Sequence, residues 1–114
     1  ITTIGHNSFK RCIKLKTLIF NTNKLTTFEE GAFMECSGFT GDLIIPDSVI
    51  DLKVSIFEST YFDGKLILGN NLKNIGNFCF KNTHFSGDLI ISNNVISIGK
   101  DSFFNCTEWN INSF

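Results

Sequence analysis

The side chains best suited to chemistry in this sequence are its four cysteines and two histidines. Zinc sites need four converging ligands, typically supplied in C-x-x-C pairs, and the sequence has no such pair. Cys12, Cys36 and Cys106 instead recur at one position of a periodic pattern, and Thr60 and Thr83 occupy the same position. A hydroxyl in place of a thiol indicates small, buried core residues rather than a metal site. A Cys12–Cys36 disulfide remains the alternative, because neighbouring strands lie about 5 Å apart.

The histidines and carboxylates form no recognisable acid–base arrangement. His6 and His84 lie three repeats apart and at different positions of the pattern, whereas a catalytic base needs a partner within hydrogen-bond reach. Adjacent carboxylates occur only at Glu29–Glu30, which is typical of a solvated turn. No glycine-rich phosphate loop is present. We therefore predict that the protein is not an enzyme, and that it has no catalytic residues, no cofactor and no metal site.

The periodic pattern is a tandem repeat. Its most regular position holds phenylalanines separated by 24, 24, 23 and 23 residues: Phe9, Phe33, Phe57, Phe80 and Phe103. A repeat this short cannot bury its apolar side alone, but stacked copies can. We predict one solenoid domain over residues 1–114, with repeats at roughly 1–24, 25–48, 49–71, 72–94 and 95–114. Because no polar terminal repeat is recognisable, we expect a segment of a longer chain or one whose ends self-associate.

Each repeat contains the signals of one strand and one tight turn. Short apolar triplets rich in branched residues end in turn-forming residues, which predicts strands. These triplets are Leu18–Ile19–Phe20, Leu43–Ile44–Ile45, Leu66–Ile67–Leu68 and Leu89–Ile90–Ile91. The stretch around the repeated phenylalanine has room for about one helical or 3₁₀ turn, which would direct the ring into the interior.

These motifs resemble a known family. Residues 15–25, LKTLIFNTNKL, fit the leucine-rich-repeat pattern L-x-x-L-x-L-x-x-N-x-L, and residues 95–106, VISIGKDSFFNC, resemble the BspA-like (Treponema pallidum-type) leucine-rich repeat. The resemblance implies an α/β repeat fold: a right-handed solenoid with a parallel β-sheet on its concave side and short helical or 3₁₀ turns opposite. It also implies a cell-surface or secreted protein, such as a surface antigen, with a role in adhesion.

One apolar row stands out as a candidate binding surface. If the outer residues of each triplet point inward, the middle residue faces out on the predicted concave side. That residue is always isoleucine, and a charged row runs beside it; the candidate partner-binding residues are Ile19, Ile44, Ile67, Ile90, Asp42, Lys65 and Asp88. An exposed apolar stripe is typical of an interaction site. The alternative is that isoleucine is used only for its strand propensity.

Composition narrows the partner. The net charge of −1 argues against nucleic acid, which requires a basic surface, and no apolar run is long enough to span a bilayer. We therefore expect a non-enzymatic binding module for a protein or glycan ligand. The alternative is a structural or self-assembling repeat segment that acts as a spacer or scaffold by end-to-end association. Phe78 and Phe104 occupy otherwise polar positions. Three arrangements are open for them: they pack together, they contact a further neighbour, or they form a second exposed apolar patch.

Overall fold

The chain folds as stacked coils joined by parallel strands. The computed structural model describes residues 2–21 and 23–106, and we number the coils one to five in chain order by the residue ranges of the predicted repeats. A five-stranded parallel sheet contains one two-residue strand from each coil: β1 (Thr3–Ile4), β2 (Thr27–Phe28), β4 (Asp51–Leu52), β6 (Asn74–Ile75) and β7 (Ser97–Ile98). The second sheet pairs only β3 (Leu43–Ile44) with β5 (Leu66–Ile67).

Each strand of the five-stranded sheet has one inward and one outward residue, as the period of two requires. The inward residues are apolar, and those of coils two, three and four are buried: Phe28, Leu52 and Ile75. The outward residues are polar, and those of coils three to five bond to one another along the sheet. Asn74 donates its side-chain amide to Asp51, and Ser97 donates its hydroxyl to Asn74 Oδ1 at 2.7 Å. The outer side of this part of the sheet is therefore a hydrogen-bonded polar ladder.

The predicted helical or 3₁₀ turn is wrong for the described residues. Around Phe9 only alternate amides bond within the coil, for example Lys10 N to Asn7 O at 3.2 Å. The amides between them donate to coil two, as Phe9 N does to Ala32 O at 2.8 Å. A 3₁₀ turn needs consecutive bonds within the coil, so the segment forms a series of β-turns instead. These series stack from coil to coil, and we call them the turn stack: residues 5–12, 29–36, 53–60, 76–83 and 99–106.

A column of phenylalanine rings fills the interior. Phe33, Phe57 and Phe80 stack with centroids 5.5 and 5.7 Å apart and interplanar angles of 0° and 4°. A second column of buried rings, Phe39, Phe62 and Phe85, packs beside the first. The repeat predicts ten inward phenylalanines, namely the five at its most regular position and Phe20, Phe28, Phe39, Phe62 and Phe85. Seven of the ten are buried: Phe28, Phe33, Phe39, Phe57, Phe62, Phe80 and Phe85. Repeating the same ring at the same position thus builds a continuous aromatic core.

The triplets contribute less to the sheets than predicted. We expected all four to form the parallel sheet, but only those of coils two and three are paired as strands in the described residues. Residues 18–20 and 89–91 are extended without strand pairing to a described residue. The continuous five-stranded sheet instead lies just before the turn stack, at Thr3–Ile4 and its equivalents. We call the surface formed by the four triplets the triplet face. The predicted site residues lie on this face, which contains one strand pair, β3–β5, in the described residues.

Candidate functional site

The triplet face exposes the middle residue of each triplet; the outer two are buried in coils two and three, whereas Leu18, Phe20 and Ile91 are partly buried. In coil two, Leu43 and Ile45 are 0% and 1% exposed, whereas Ile44 is 56% exposed. The other middle residues are Ile19, Ile67 and Ile90, with exposed fractions of 71%, 45% and 76%. We call these four residues the isoleucine row. Branched apolar side chains are thus exposed at one equivalent position on four successive coils, as an apolar row.

A charged row of Asp42, Lys65 and Asp88 runs beside the isoleucine row. Asp42 and Lys65 lie one residue before β3 and β5. Asp42 Oδ1 accepts a hydrogen bond from the backbone N–H of Lys65 at 2.7 Å, so this carboxylate links coil two to coil three. Lys65 and Asp88 are exposed on the following coils. With one lysine between two aspartates, the row carries charges of both signs and a net negative charge. The row therefore forms a polar rim along an apolar surface.

Two grooves open on the triplet face, one on each side of the β3–β5 pair. The coil three–four groove has a volume of about 630 Å³ and is lined by Lys65–Leu68, Asn70, Gly87, Asp88, Ile90 and Ser92. The coil one–two groove has a volume of about 390 Å³ and is lined by Thr17–Phe20, Thr40–Asp42, Ile44 and Pro46. Sequence reasoning missed both grooves, because the residues that follow the triplets, Pro46, Gly69 and Ser92, all look suited to a turn.

The cysteines are free thiols held in the interior. Cys36 and Cys79 are buried, and Cys12 and Cys106 are partly buried. Burial raises the pKa of the thiols of Cys36, Cys79 and Cys106 above its ordinary value. Thiols that remain protonated are poor nucleophiles and poor metal ligands. In residues 2–21 and 23–106, no group of three potential metal-binding side chains occurs.

The remaining polar and aromatic groups of interest lie away from the triplet face. His6 approaches Glu30 at 4.0 Å, and the ring of His84 packs edge-on against Tyr61 at 5.1 Å. The two histidines are thus placed with different partners. Phe78 and Phe104 are bridged by Lys81, whose Nζ lies 5.2 and 5.7 Å from the two ring centroids. Phe104 is nevertheless 58% exposed. Within the described part of the chain, no helix is long and apolar enough to cross a membrane.

Comparison with known proteins agrees with the stacked-coil fold. The pattern of the BspA type leucine rich repeat region matches residues 1–113 in six copies. A leucine-rich repeat protein from Bacteroides ovatus has a similar crystal structure, with a TM-score of 0.82 and 27% sequence identity. The match covers 96% of this chain but 29% of that protein's chain, so the chain corresponds to less than a third of it. No curated protein matches the chain. The repeat pattern and the fold agree, and the chain belongs to the BspA-type leucine-rich repeat family.

Proposed function

We propose that the chain is a non-enzymatic interaction module that binds a protein partner through the isoleucine row. The observation that carries this proposal is the exposure of all four isoleucines, at 45% to 76%, at one equivalent position of four successive coils. Leucine-rich repeats generally mediate protein interactions, which supports the same function. The family is typically surface-associated or secreted, and we extend the proposal to an adhesive role at a cell surface.

The composition of the triplet face favours a protein surface as the partner. Protein interfaces combine an apolar core with a polar rim, and here the isoleucine row is bordered by Asp42, Lys65 and Asp88. Burying one exposed isoleucine side chain contributes roughly 1.5–3 kcal/mol in full. Four partly exposed isoleucines therefore supply the apolar centre of such an interface, which the polar rim extends. Strand propensity accounts less well for Ile19 and Ile90, since neither belongs to a strand pair in the described residues.

The test compares matched pairs of isoleucine substitutions. The probes are a panel of purified extracellular-matrix proteins, immobilised and exposed to the labelled chain. The Ile44→Ser/Ile67→Ser variant is expected to lose at least tenfold in affinity for any matrix protein that binds the wild type. The control variant, Ile50→Ser/Ile96→Ser, removes two isoleucines that are 40% and 76% exposed elsewhere on the coils, and it should bind normally. Equal binding by both variants, with unchanged circular dichroism, would show that the isoleucine row is not the contact surface.

The surface location and the self-assembly alternative have separate tests. Antibodies against the chain should label intact, unpermeabilised cells of the source organism; labelling only after permeabilisation contradicts a surface role. The spacer alternative predicts end-to-end association. Light scattering over a concentration series distinguishes the interaction module from the spacer. The interaction module remains monomeric, whereas the average molar mass of a self-assembling segment rises with concentration.

A further inference from the structure

The coil three–four groove exists because the strand ladder of the triplet face stops there. Between coils two and three, Leu43 N donates to Lys65 O and Ile45 N donates to Ile67 O, both at 2.9 Å. In residues 2–21 and 23–106, no equivalent backbone bond joins residues 66–68 to residues 89–91. The coils rejoin at both ends of the groove, through Ser86 N to Gly64 O at 2.8 Å and Asn94 Nδ2 to Asn70 O at 2.6 Å. The groove is thus a short opening between two places at which coils three and four are hydrogen-bonded to each other.

The residue that follows each triplet explains why the opening occurs here. Gly69 follows the triplet of coil three, and a Cβ added to it would lie 2.5 Å from Pro46 O of coil two. Coils two and three therefore approach closely only because residue 69 has no side chain. Coil four has Ser92 at this position, so an equally close approach would bring the Ser92 Cβ against the backbone of coil three. Gly87 agrees with this separation, since a Cβ there would meet only the Lys65 side chain, at 3.8 Å.

The opening leaves backbone hydrogen-bonding groups without a neighbouring strand. Successive residues of a parallel strand direct their N–H and C=O groups to opposite sides. Lys65 and Ile67 direct theirs to coil two, so Leu66 and Leu68 direct theirs to coil four. The hydroxyl of Ser92, at the end of the groove, is also buried without a hydrogen-bond partner in the described part of the chain. Buried polar groups of this kind favour a ligand that supplies both donors and acceptors.

We infer that the coil three–four groove binds a short extended segment of a partner protein, which adds as a strand beside Leu66–Leu68. This inference rests on the proposed function and specifies the kind of partner. A peptide backbone supplies alternating N–H and C=O groups at the spacing of a strand, which is the mode of β-strand addition. Ile67 and Ile90 flank the groove with exposed apolar side chains. They favour a segment with apolar side chains on the residues that face the groove.

The first experiment selects ligands and then removes their backbone donors. A phage-displayed library of random twelve-residue peptides is selected on the immobilised chain, and the recovered peptides are resynthesised with single N-methylated amides. Strand addition predicts at least a tenfold loss of affinity at alternate positions and little effect between them. It also predicts that the amides of Leu66 and Leu68 exchange more slowly with solvent when the peptide is bound. If no peptide is recovered, or if N-methylation at every position leaves affinity unchanged, the inference is wrong.

A second experiment separates this inference from the proposed function. Ser92→Gly gives coil four a glycine at the position equivalent to Gly69, the residue that allows coil three to approach coil two closely. It should narrow the groove and weaken peptide binding at least tenfold, while the isoleucine row stays exposed. The matched control, Ser48→Gly, also removes a buried hydroxyl without a partner in the described residues, outside both grooves. If Ser92→Gly binds the peptides normally while Ile44→Ser/Ile67→Ser loses its binding to matrix proteins, the groove inference fails and the proposed function stands. If Ser92→Gly binds the peptides normally and Ile44→Ser/Ile67→Ser keeps its binding to matrix proteins, both fail.

Discussion

Phe57 provides the strongest test of the stacked aromatic core. It is fully buried at the centre of the first column, between Phe33 at 5.5 Å and Phe80 at 5.7 Å, and it also meets Phe28 and Phe62 edge-on. Truncation of a buried phenylalanine to alanine costs roughly 3–5 kcal/mol. Because aromatic pairs add about 0.5–1.5 kcal/mol beyond their buried area, Phe57→Ala should lie at the upper end, near 4–5 kcal/mol.

The assay is urea unfolding followed by circular dichroism and by intrinsic fluorescence, with free energies compared between variants. Phe9→Ala is the matched control, since Phe9 is 40% exposed and stacks with Phe33 at 5.1 Å. Its truncation should cost only about 1–2 kcal/mol, in proportion to the smaller buried area. Phe57→Leu, which retains most of the volume, should cost about 1.5 kcal/mol or less. If Phe57→Ala costs no more than Phe9→Ala, the aromatic column is not the main stabilising feature and the reasoning is refuted.

The remaining predictions concern the buried thiols and the close approach of coils two and three. Since burial raises the folded pKa of Cys36, Cys79 and Cys106, their stabilising contribution is complete below the unfolded pKa of about 8.5 and is lost as the pH rises above it. The free energy of unfolding should therefore fall between pH 8 and pH 10, with a shallower fall in Cys79→Ala; identical slopes would contradict this. Gly69→Ala places a Cβ 2.5 Å from Pro46 O and should cost about 1–3 kcal/mol. Amide exchange should accelerate at Leu43 and Ile45 but not at Ile96, whose amide bonds within the other sheet, and uniform acceleration would argue against a local effect.

The repeat, the family and the orientation of the triplet side chains could be predicted from the sequence. Phe33, Phe57 and Phe80 recur because each ring stacks on its equivalent, and that regularity is visible in one dimension. The alternation within Leu43–Ile44–Ile45 likewise predicts which side chain points outward.

The hydrogen bonds between coils could not be read in the same way. Thr27–Phe28 is a strand of only two residues, too short to give a periodic signal, and Phe9 N bonds to coil two rather than within its own turn. The groove was hidden for a related reason. Ser92 and Gly69 look equally suited to a turn, and they differ only in how closely the next coil can approach. Contacts between coils depend on pairs of repeats, whereas the sequence pattern describes one repeat at a time.

The alternation of hydrogen bonds in the turn stack determines where these repeats can change length. One residue inserted between Phe33 and Cys36 would reverse which amides face the neighbouring coil, and every later bond of that turn would be lost. The spacing from the repeated phenylalanine to the next Cys or Thr is accordingly three residues in all five coils. The extra residues lie elsewhere: coil two has six residues between Cys36 and Leu43 where coil three has five between Thr60 and Leu66. Insertions are therefore tolerated in the segments that flank the triplets, beside the proposed binding surface, where loops of different length can diversify what the solenoid recognises.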